Sequence, residues 1–184
     1  MKTRLAILIA GLPCSGKTTV AKILSEKLKA PLFSMGDIIR EEAARLGIDP
    51  GKVATMLRTR EGRRAVAYRL VEKLRDVTAE IVIVEGVRGP DEIDVIKEML
   101  NMDTVLIYVV ASRPVRESRF RQRARQDDRT VSSVLVRDLR ECLYGILDLL
   151  TIADIVLVND FEEVSQLEKY IESDVLPRLR VRIG

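Results

Sequence analysis

Short apolar runs and amphipathic stretches alternate along the chain. The runs are unbroken and rich in Ile, Val and Leu, which is typical of strands that are buried on both faces of a sheet. We predict five strands from these runs, at Leu5–Ile9, Pro31–Ser34, Ile81–Val84, Val105–Val110 and Ile155–Val158. The stretches between them repeat apolar residues every three or four positions, as amphipathic helices do. The alternation predicts a three-layer α/β/α fold with a five-stranded parallel sheet that helices cover on both faces.

Residues that stop helices divide the segment after the second predicted strand. Gly47 and Asp49–Gly51 end a helix that runs to about Leu46. A second helical region extends from about residue 52 to 75, and Gly62 is a candidate break within it. We therefore predict that this segment is helical throughout, with a turn near Asp49–Gly51.

Two further helices are predicted in the C-terminal half. The first runs from about residue 131 to 150, where apolar residues recur at helical spacing at Leu135, Leu139, Cys142, Leu143, Ile146, Leu147 and Leu150. The second follows the last strand. Asp160–Glu163 fits a D-x-x-E variant of the capping box that would open this helix, and Pro177 is expected to end it.

A glycine-rich loop separates the first predicted strand from the first helix. Residues Gly11–Thr18 fit the phosphate-loop pattern G-x-x-x-x-G-K-[ST] at every fixed position. In such a loop backbone N–H groups converge on phosphate oxygens, Lys17 reaches the β- and γ-phosphates, and the Thr18 hydroxyl ligates Mg²⁺. The candidate nucleotide-binding residues are Gly11, Pro13, Cys14, Ser15, Gly16, Lys17, Thr18 and Thr19. The alternative is a glycine-rich turn that binds nothing.

Charged residues follow two of the other predicted strands, where ligands bind in parallel sheets. Glu85 ends an apolar strand, as the carboxylate that assists Mg²⁺ binding does, and its alternative role is that of a solvated acid. Arg40 and Arg88 would point into the same cleft, and two guanidinium groups there suggest an acceptor that carries phosphate. Alternatively, they are surface arginines that nearby carboxylates neutralise.

The densest basic run of the chain lies between residues 113 and 129. If Pro114 opens a helix, its arginines could close over a nucleotide as a lid, and Arg119, Arg123 and Arg125 are candidate catalytic residues. Arg137 and Arg140 could add charge from behind this lid. A nucleic-acid patch, or a helix paired with nearby acids, are the alternatives. Phe120 is the only aromatic residue in the run, so stacking on bases is poorly supported.

Composition narrows the function classes further. The 184 residues are enough for one domain, and 31 basic against 28 acidic residues give a net charge of +3, which predicts no bulk attraction to nucleic acid or to membranes. The two cysteines lie far apart in the sequence, and no window approaches 18 consecutive apolar residues. We therefore expect a cytoplasmic protein without a membrane partner.

In its phosphate loop and in the charged residues that follow its strands, the chain resembles P-loop proteins of the nucleoside-monophosphate-kinase type. It is most similar to a prokaryotic family described as adenylate-kinase-related or dephospho-CoA-kinase-like. Met35–Arg40 resembles the adenylate kinase segment that ends in a phosphate-binding arginine, and Glu85–Arg88 resembles its D-G-x-x-R turn. The resemblance implies acceptor-phosphate contacts for Arg40 and Arg88. Glu85 stands where those kinases have Asp, and the lid is too short for their large hairpin.

Dephospho-CoA kinase resembles other parts of the chain. Ala153–Asp160 is similar to its C-terminal strand and turn. The acid that serves as its general base for an acceptor hydroxyl would fall on Asp37, so the resemblance implies a catalytic and substrate-binding role there. Cys14 replaces a glycine that is common in these loops, and its side chain should fit if the backbone φ at that position is negative.

Together, these observations predict one P-loop kinase-type domain over residues 1–184. Its core would comprise residues 1–36, 78–112 and 151–184, with acceptor-binding helices at 37–77 and a short helical lid at 113–130. The expected function is phosphoryl transfer from ATP or another nucleoside triphosphate, with Mg²⁺, to a small nucleotide-like acceptor such as a nucleoside monophosphate or dephospho-CoA. The alternative is a nucleotide-dependent switch that gates a protein or nucleic-acid partner. The sequence leaves the oligomeric state open.

Overall fold

The computed structural model describes residues 4–122 and 133–183. Its sheet has five strands, each parallel to its neighbours, in the order β2-β3-β1-β4-β5. The strands are β1 (Arg4–Ala10), β2 (Leu32–Ser34), β3 (Ile81–Val87), β4 (Met102–Val110) and β5 (Ile155–Val158). The prediction of a five-stranded parallel sheet is therefore confirmed.

Helices cover both faces of the sheet. They are α1 (Lys17–Leu28), α2 (Met35–Leu46), α3 (Pro50–Glu61), α4 (Ala65–Leu74), α5 (Pro90–Leu100), α6 (Arg113–Gln122), α7 (Val134–Leu143), α8 (Asp148–Thr151), α9 (Val164–Tyr170) and α10 (Leu176–Ile183). A π-helical segment, Ile171–Val175, joins α9 to α10. None of the helices in the described ranges is long and apolar enough to span a bilayer.

Two apolar cores lie on opposite faces of the sheet. Helices α2 to α5 pack on one face, together with Ile146 and Leu149. Helices α1, α9 and α10 pack on the other, where Val20, Ile23 and Leu24 of α1 are buried as their spacing predicts. This arrangement gives the sheet a helical layer on each side.

Local signals explain where the helices between β2 and β3 begin and end. The Ser34 hydroxyl accepts a hydrogen bond from the Asp37 amide at the start of α2, and Gly47 ends α2 in the left-handed conformation. Asp49 caps α3 in the same way, with Pro50 at the first helical position. Gly62 ends α3, so the candidate break is a real one.

The helix predicted over residues 131–150 is interrupted. Helix α7 covers Val134–Leu143, turns follow, and Gly145 has a φ of +96°, which interrupts a regular helix. Most of the apolar residues that recur at helical spacing lie at the surface. Ile146 is buried, but Leu135, Leu139 and Leu143 are exposed.

The C-terminal helix differs from the prediction at both ends. Glu163, not Asp160, caps α9, and it forms the capping box with Gln166. The Asp160 carboxylate instead accepts a hydrogen bond of 2.7 Å from the amide of Ser112, which follows β4. Pro177 does not end the helix. The Leu176 amide bonds to the Ile171 carbonyl five residues back, and this wide turn accommodates the proline ring that follows.

Candidate functional site

The glycine-rich loop connects β1, the central strand, to α1. Gly11 and Gly16 have φ values of +146° and +93°. A Cβ atom on Gly11 would lie 2.3 Å from the Val109 carbonyl oxygen of β4, and one on Gly16 would lie 2.1 Å from Asn159 Nδ2. The loop backbone is therefore pressed against the strands beside it, and both positions require glycine.

Two side chains hold the Ser15 carbonyl inside this loop. Asn159 Nδ2 donates to it at 2.8 Å, and an Arg119 guanidinium nitrogen donates at 3.3 Å. Arg119 also bonds the Phe161 carbonyl, and burial lowers the pKa of Arg119. The predicted catalytic arginine thus contacts the loop from α6. Asn159 was not among the predicted site residues, although its position directly after β5 is the signal that could have identified it.

The loop has the properties of an anion-binding site. Among the described residues, no side chain caps the first turn of α1 and no acid lies in it, so the positive end of the helix dipole is not neutralised locally. Ser15 is fully buried, and its hydroxyl has no hydrogen-bond partner in the described part of the chain. Lys17, Thr18 and Thr19 form this first turn. These features fit the phosphates of a nucleotide.

Cys14 does not meet the expected condition of a negative φ. Its φ is +62°, and its side chain is nevertheless buried. A non-glycine residue in the left-handed region costs on the order of 1–2 kcal/mol. A glycine at this position would remove that cost, so the loop carries strain at Cys14.

Glu85 lies between the loop and α2. It pairs in register with Ile9 of β1 and Ser34 of β2, and its Oε1 accepts a hydrogen bond of 2.7 Å from the Ser34 hydroxyl. Only 5% of Glu85 is exposed, which excludes a solvated acid at a strand end. The register with β1 shifts after Glu85, because Gly86 bulges out with a φ of +87°.

The described residues contain no cluster of three or more His, Cys, Asp or Glu side chains that could hold a metal ion. A hydroxyl and a carboxylate are oxygen ligands that fit Mg²⁺, which commonly takes one or two protein ligands and completes its shell with water and substrate phosphates. Thr18 and Glu85 are the residues that would hold it. Thr18 is the last residue of the phosphate loop, at the start of α1, and Glu85 pairs in register with Ile9 near the end of β1.

A second cleft opens beside the loop, between α2, α3 and α7. Its lining includes four arginines and one carboxylate, which are Arg40, Arg88, Arg137, Arg140 and Glu141. Arg40 and Arg88 thus share a cleft as the sequence predicts. Arg137 and Arg140 join them from α7, and the sequence placed these two only as charges behind the lid. Backbone atoms of Gly36 and Gly51 line the same cleft and leave room for the guanidinium groups.

Glu141 holds Arg88 in this cleft. The two side chains form a buried ion pair, and a guanidinium nitrogen of Arg88 also donates to the Gly86 carbonyl at 2.8 Å. Burial alone would raise the pKa of Glu141, but the positive charges of Arg88 and Lys17 keep it below its ordinary value. Helix α7, which lines the cleft, also lies close to the phosphate loop, because Arg116 bonds both Asp138 of α7 and the Pro13 carbonyl.

A second buried ion pair, between Arg58 and Glu92, lies beside Arg88 of the cleft. Arg58 of α3 and Glu92 of α5 lie 2.8 Å apart, and the Arg58 guanidinium stacks 4.4 Å from the ring centre of Tyr144. The other carboxylate oxygen of Glu92 accepts a hydrogen bond of 2.7 Å from the Arg88 amide. This network fixes α3, α5 and the turn after α7 around Arg88.

Asp37 lies at the edge of the site and does not contribute to the lining of the arginine cleft. Its carboxylate accepts hydrogen bonds from Arg40, one of them at 3.1 Å, and its side chain is 61% exposed. The predicted base is therefore paired with a predicted phosphate-binding residue.

The predicted lid is partly described. Arg116 is buried, bonds both carboxylate oxygens of Asp138 at 2.7 and 2.9 Å, and thereby joins α6 to α7. It also reaches the Pro13 carbonyl of the phosphate loop. Arg123 and Arg125, two of the predicted catalytic residues, lie outside the described residues.

The strand order, the glycine-rich loop after β1 and the carboxylate near the end of β3 define a P-loop kinase-like protein. A family model described as an AAA domain matches residues 10–135. A UPF0200 protein of Pyrobaculum aerophilum is 43% identical over 173 residues, which cover 94% of this chain and 97% of the relative. The chain belongs to the AAA domain family and to the UPF0200 family. The resemblance to P-loop kinase-like proteins drawn from the sequence is confirmed.

Further relatives and solved structures agree with this assignment. A UPF0200 protein of Methanosarcina barkeri is 36% identical over 160 residues, covering 84% of this chain and 86% of that protein. Shikimate kinase from Acinetobacter baumannii, in complex with shikimate, has a TM-score of 0.60 at 16% identity, over 96% of this chain and 95% of that one. A sugar kinase from Janibacter sp. HTCC2649 has a TM-score of 0.62 at 20% identity, over 97% and 95%. At these identities the structural likeness concerns the fold.

Proposed function

We propose that this protein is an ATP- and Mg²⁺-dependent phosphotransferase whose small acceptor carries a phosphate group, as a nucleoside monophosphate does. The observation that carries the proposal is the arginine-lined cleft directly beside the phosphate loop. Four guanidinium groups face a single carboxylate there, so the cleft has a net positive charge that favours an anionic occupant.

On the donor side, the chain's own groups would bind and orient the triphosphate. The amides of the loop and the start of α1 would receive its phosphates, and Lys17 would neutralise charge as the phosphoryl group moves. Mg²⁺ supplies charge stabilisation at the phosphate oxygens, and Thr18 and Glu85 would hold it. Arg119 would act from the α6 side, where it already contacts the loop.

On the acceptor side, the cleft would orient the attacking oxygen. Arg40, Arg88 and Arg140 would hold the acceptor phosphate, and positioning of this kind supplies much of the catalysis in phosphoryl transfer. A phosphate oxygen is already nucleophilic and needs no base. The exposure of Asp37, its pairing with Arg40 and its place outside the cleft lining support a phosphate acceptor over a hydroxyl acceptor such as that of dephospho-CoA.

An acceptor screen with labelled ATP tests the proposal. The nucleoside monophosphates and dephospho-CoA would be assayed as acceptors with the wild-type chain and with the variants Arg140→Ala and Asp37→Asn. Arg75→Ala is the matched control, because the exposed Arg75 side chain pairs only with Glu72 among the described residues. A charge-assisted hydrogen bond is worth about 1.5–3 kcal/mol, so Arg140→Ala should lower kcat/KM for a phosphate acceptor by about 10- to 100-fold. Asp37→Asn should retain much of the activity.

The results can contradict the proposal in two ways. If Asp37→Asn abolishes transfer, and dephospho-CoA is the acceptor that is phosphorylated, the attacking group is a hydroxyl. If ATP is hydrolysed slowly and no acceptor is phosphorylated, the protein is a nucleotide-dependent switch. One observation favours this second function, because the Arg88 guanidinium is already paired with Glu141.

A further inference from the structure

Helix α7 has an inverted distribution of polar and apolar residues. Its buried side carries Arg137 and Glu141, which face the arginine cleft. Its exposed side carries most of its aliphatic residues, among them Leu139 and Leu143, and Val134 is the buried exception. A surface helix of a globular protein normally turns its apolar side to the core. The apolar side of α7 is therefore left without a partner among the described residues.

Exposed aliphatic residues continue from α7 through α8 to the edge strand β5. Val156 and Val158 of β5 pair in register with Tyr108 and Val110, which belong to the same core layer as the buried Ile146. The exposed β5 valines therefore point to the side of the sheet on which this layer packs. We define the leucine face as Leu135, Val136, Leu139, Leu143, Leu147, Leu150, Ile152, Val156 and Val158.

The leucine face is as large as half of a stable dimer interface. Its residues are each between 41% and 75% exposed. Exposures of this size correspond to roughly 800 Å² of surface, whereas the largest apolar patch of a typical monomer is about 300–600 Å². A standard protein interface buries about 800 Å² on each partner. The area of the leucine face therefore matches one side of a standard interface and exceeds the largest apolar patch of a typical monomer.

The chemistry of the face selects the kind of partner. Between residues 134 and 152, the exposed positions other than the aliphatic ones are Asp148 and Thr151, and none is basic. Anionic membranes and nucleic acids both require basic residues at the contact. Residues 123–132 lie outside the described residues, and their sequence contains only Ala124 and Val131 as apolar residues. The occupant must itself present an apolar surface.

We propose that the leucine face binds the same face of a second copy of this chain and forms a two-fold symmetric dimer. Leu135, Leu139 and Leu143 are spaced at i, i+4 and i+8, which makes a ridge along α7. A ridge of this spacing packs into the groove of an identical helix, and a two-fold axis brings the same patch of both copies together. Each α7 is then held by its partner on one side and by the arginine cleft on the other.

Sedimentation of the full chain tests the dimer. The wild-type chain should have twice the 20.8 kDa mass of a single chain. Leu143→Glu buries a charge in the interface and should raise the dissociation constant by more than about tenfold. Val181→Glu is the matched control, because Val181 is 83% exposed on α10, which packs on the opposite face of the sheet, and it should remain a dimer. A wild-type chain that is monomeric at up to about 100 μM would overturn the proposal.

A second pair of variants separates loss of the interface from loss of the fold. Leu139 lies in the middle of the ridge and so nearest the proposed axis. Leu139→Glu and Leu139→Lys should each be monomeric with wild-type circular dichroism, and an equimolar mixture should form dimers again through opposite charges. Dimers that persist unchanged in both single variants would refute the leucine face as the interface. So would a folded mixture that stays monomeric, or a monomeric wild type that binds anionic vesicles.

Discussion

Replacing Gly16 by alanine tests whether the phosphate loop is shaped by its contact with Asn159. The new methyl group would occupy a point 2.1 Å from Asn159 Nδ2, and the backbone would keep a φ of +93°. Asn159 cannot move aside freely, because it is buried and its Nδ2 donates to the Ser15 carbonyl. Gly47 provides the matched control. It has a φ of +68° at the end of α2, and among the described residues nothing lies within 4 Å of the point that an alanine methyl group would take there.

The two substitutions share one cost and differ in the other. A left-handed backbone costs a non-glycine residue about 1–2 kcal/mol, which is the whole expected loss for Gly47→Ala. Gly16→Ala also displaces the Asn159 amide and leaves a buried polar group unpaired, at a further cost of about 1–3 kcal/mol. We therefore expect Gly16→Ala to lower the free energy of unfolding by about 2–5 kcal/mol.

Urea unfolding, followed by circular dichroism, measures both variants against the wild type. The double variant Gly16→Ala/Asn159→Ala completes a mutant cycle, and removal of the Asn159 side chain should recover about 1–3 kcal/mol of the loss caused by the methyl group. The reasoning is refuted if Gly16→Ala is no more destabilising than Gly47→Ala. It is also refuted if the cycle shows no coupling between positions 16 and 159.

Three further predictions concern charge and burial. Lys17→Ala should remove the calorimetric heat of Mg·ATP binding, whereas Lys22→Ala, on the exposed side of α1, should retain it; equal heats would contradict nucleotide binding by the loop. Glu141 has a folded-state pKa below its ordinary value of 4.5, so its contribution to stability is present above about pH 4.5 and is lost as the pH falls through the lower folded-state pKa. The free energy of unfolding, measured from pH 7 to pH 3, should therefore fall less in Glu141→Gln than in the wild type. An equal dependence of this free energy on pH in the two proteins would contradict the ion pair. Burial raises the pKa of Tyr108 to about 12, and its hydroxyl has no partner among the described residues. Tyr108→Phe should keep or raise the free energy of unfolding by up to about 1 kcal/mol, and a clear loss would reveal a hydrogen bond.

The sheet and the phosphate loop could be predicted because their signals are local. An apolar run such as Ile81–Val84 is too short for a helix and has no exposed face, so it is compatible with little except a buried strand. The loop pattern likewise fixes glycine at the two positions, Gly11 and Gly16, where neighbouring strands leave no room for a Cβ atom. The position of Glu85 followed from the end of its strand alone.

Other parts of the site depend on contacts between distant segments. Asn159 binds the Ser15 carbonyl, 144 residues away, and its position after β5 indicates a site residue without indicating this partner. Arg140 enters the arginine cleft beside α3, where Gly51 leaves it space. The left-handed backbone at Cys14 is set by the fold of the loop, and the residue type gives no sign of it. Asp160 does not cap α9 as its D-x-x-E pattern predicts, because its carboxylate accepts a hydrogen bond from the Ser112 amide instead.

Helix α7 shows why helical periodicity predicts a face but not its direction. The leucine spacing is real, yet the polar side of α7 carries Glu141 and Asp138, which pair with Arg88 and Arg116 on other elements. Removing the partner of a buried charge costs about 3–5 kcal/mol of folding free energy, and α7 provides two such partners. Burying three leucines would gain about 1.5–3 kcal/mol each, so the two ion pairs contribute as much free energy as the leucines would, or more. The polar side therefore turns inward and the apolar side is left at the surface. A second copy of the chain would bury the leucines without disturbing either ion pair, so the charge requirements of the cleft and the proposed dimer have a common cause.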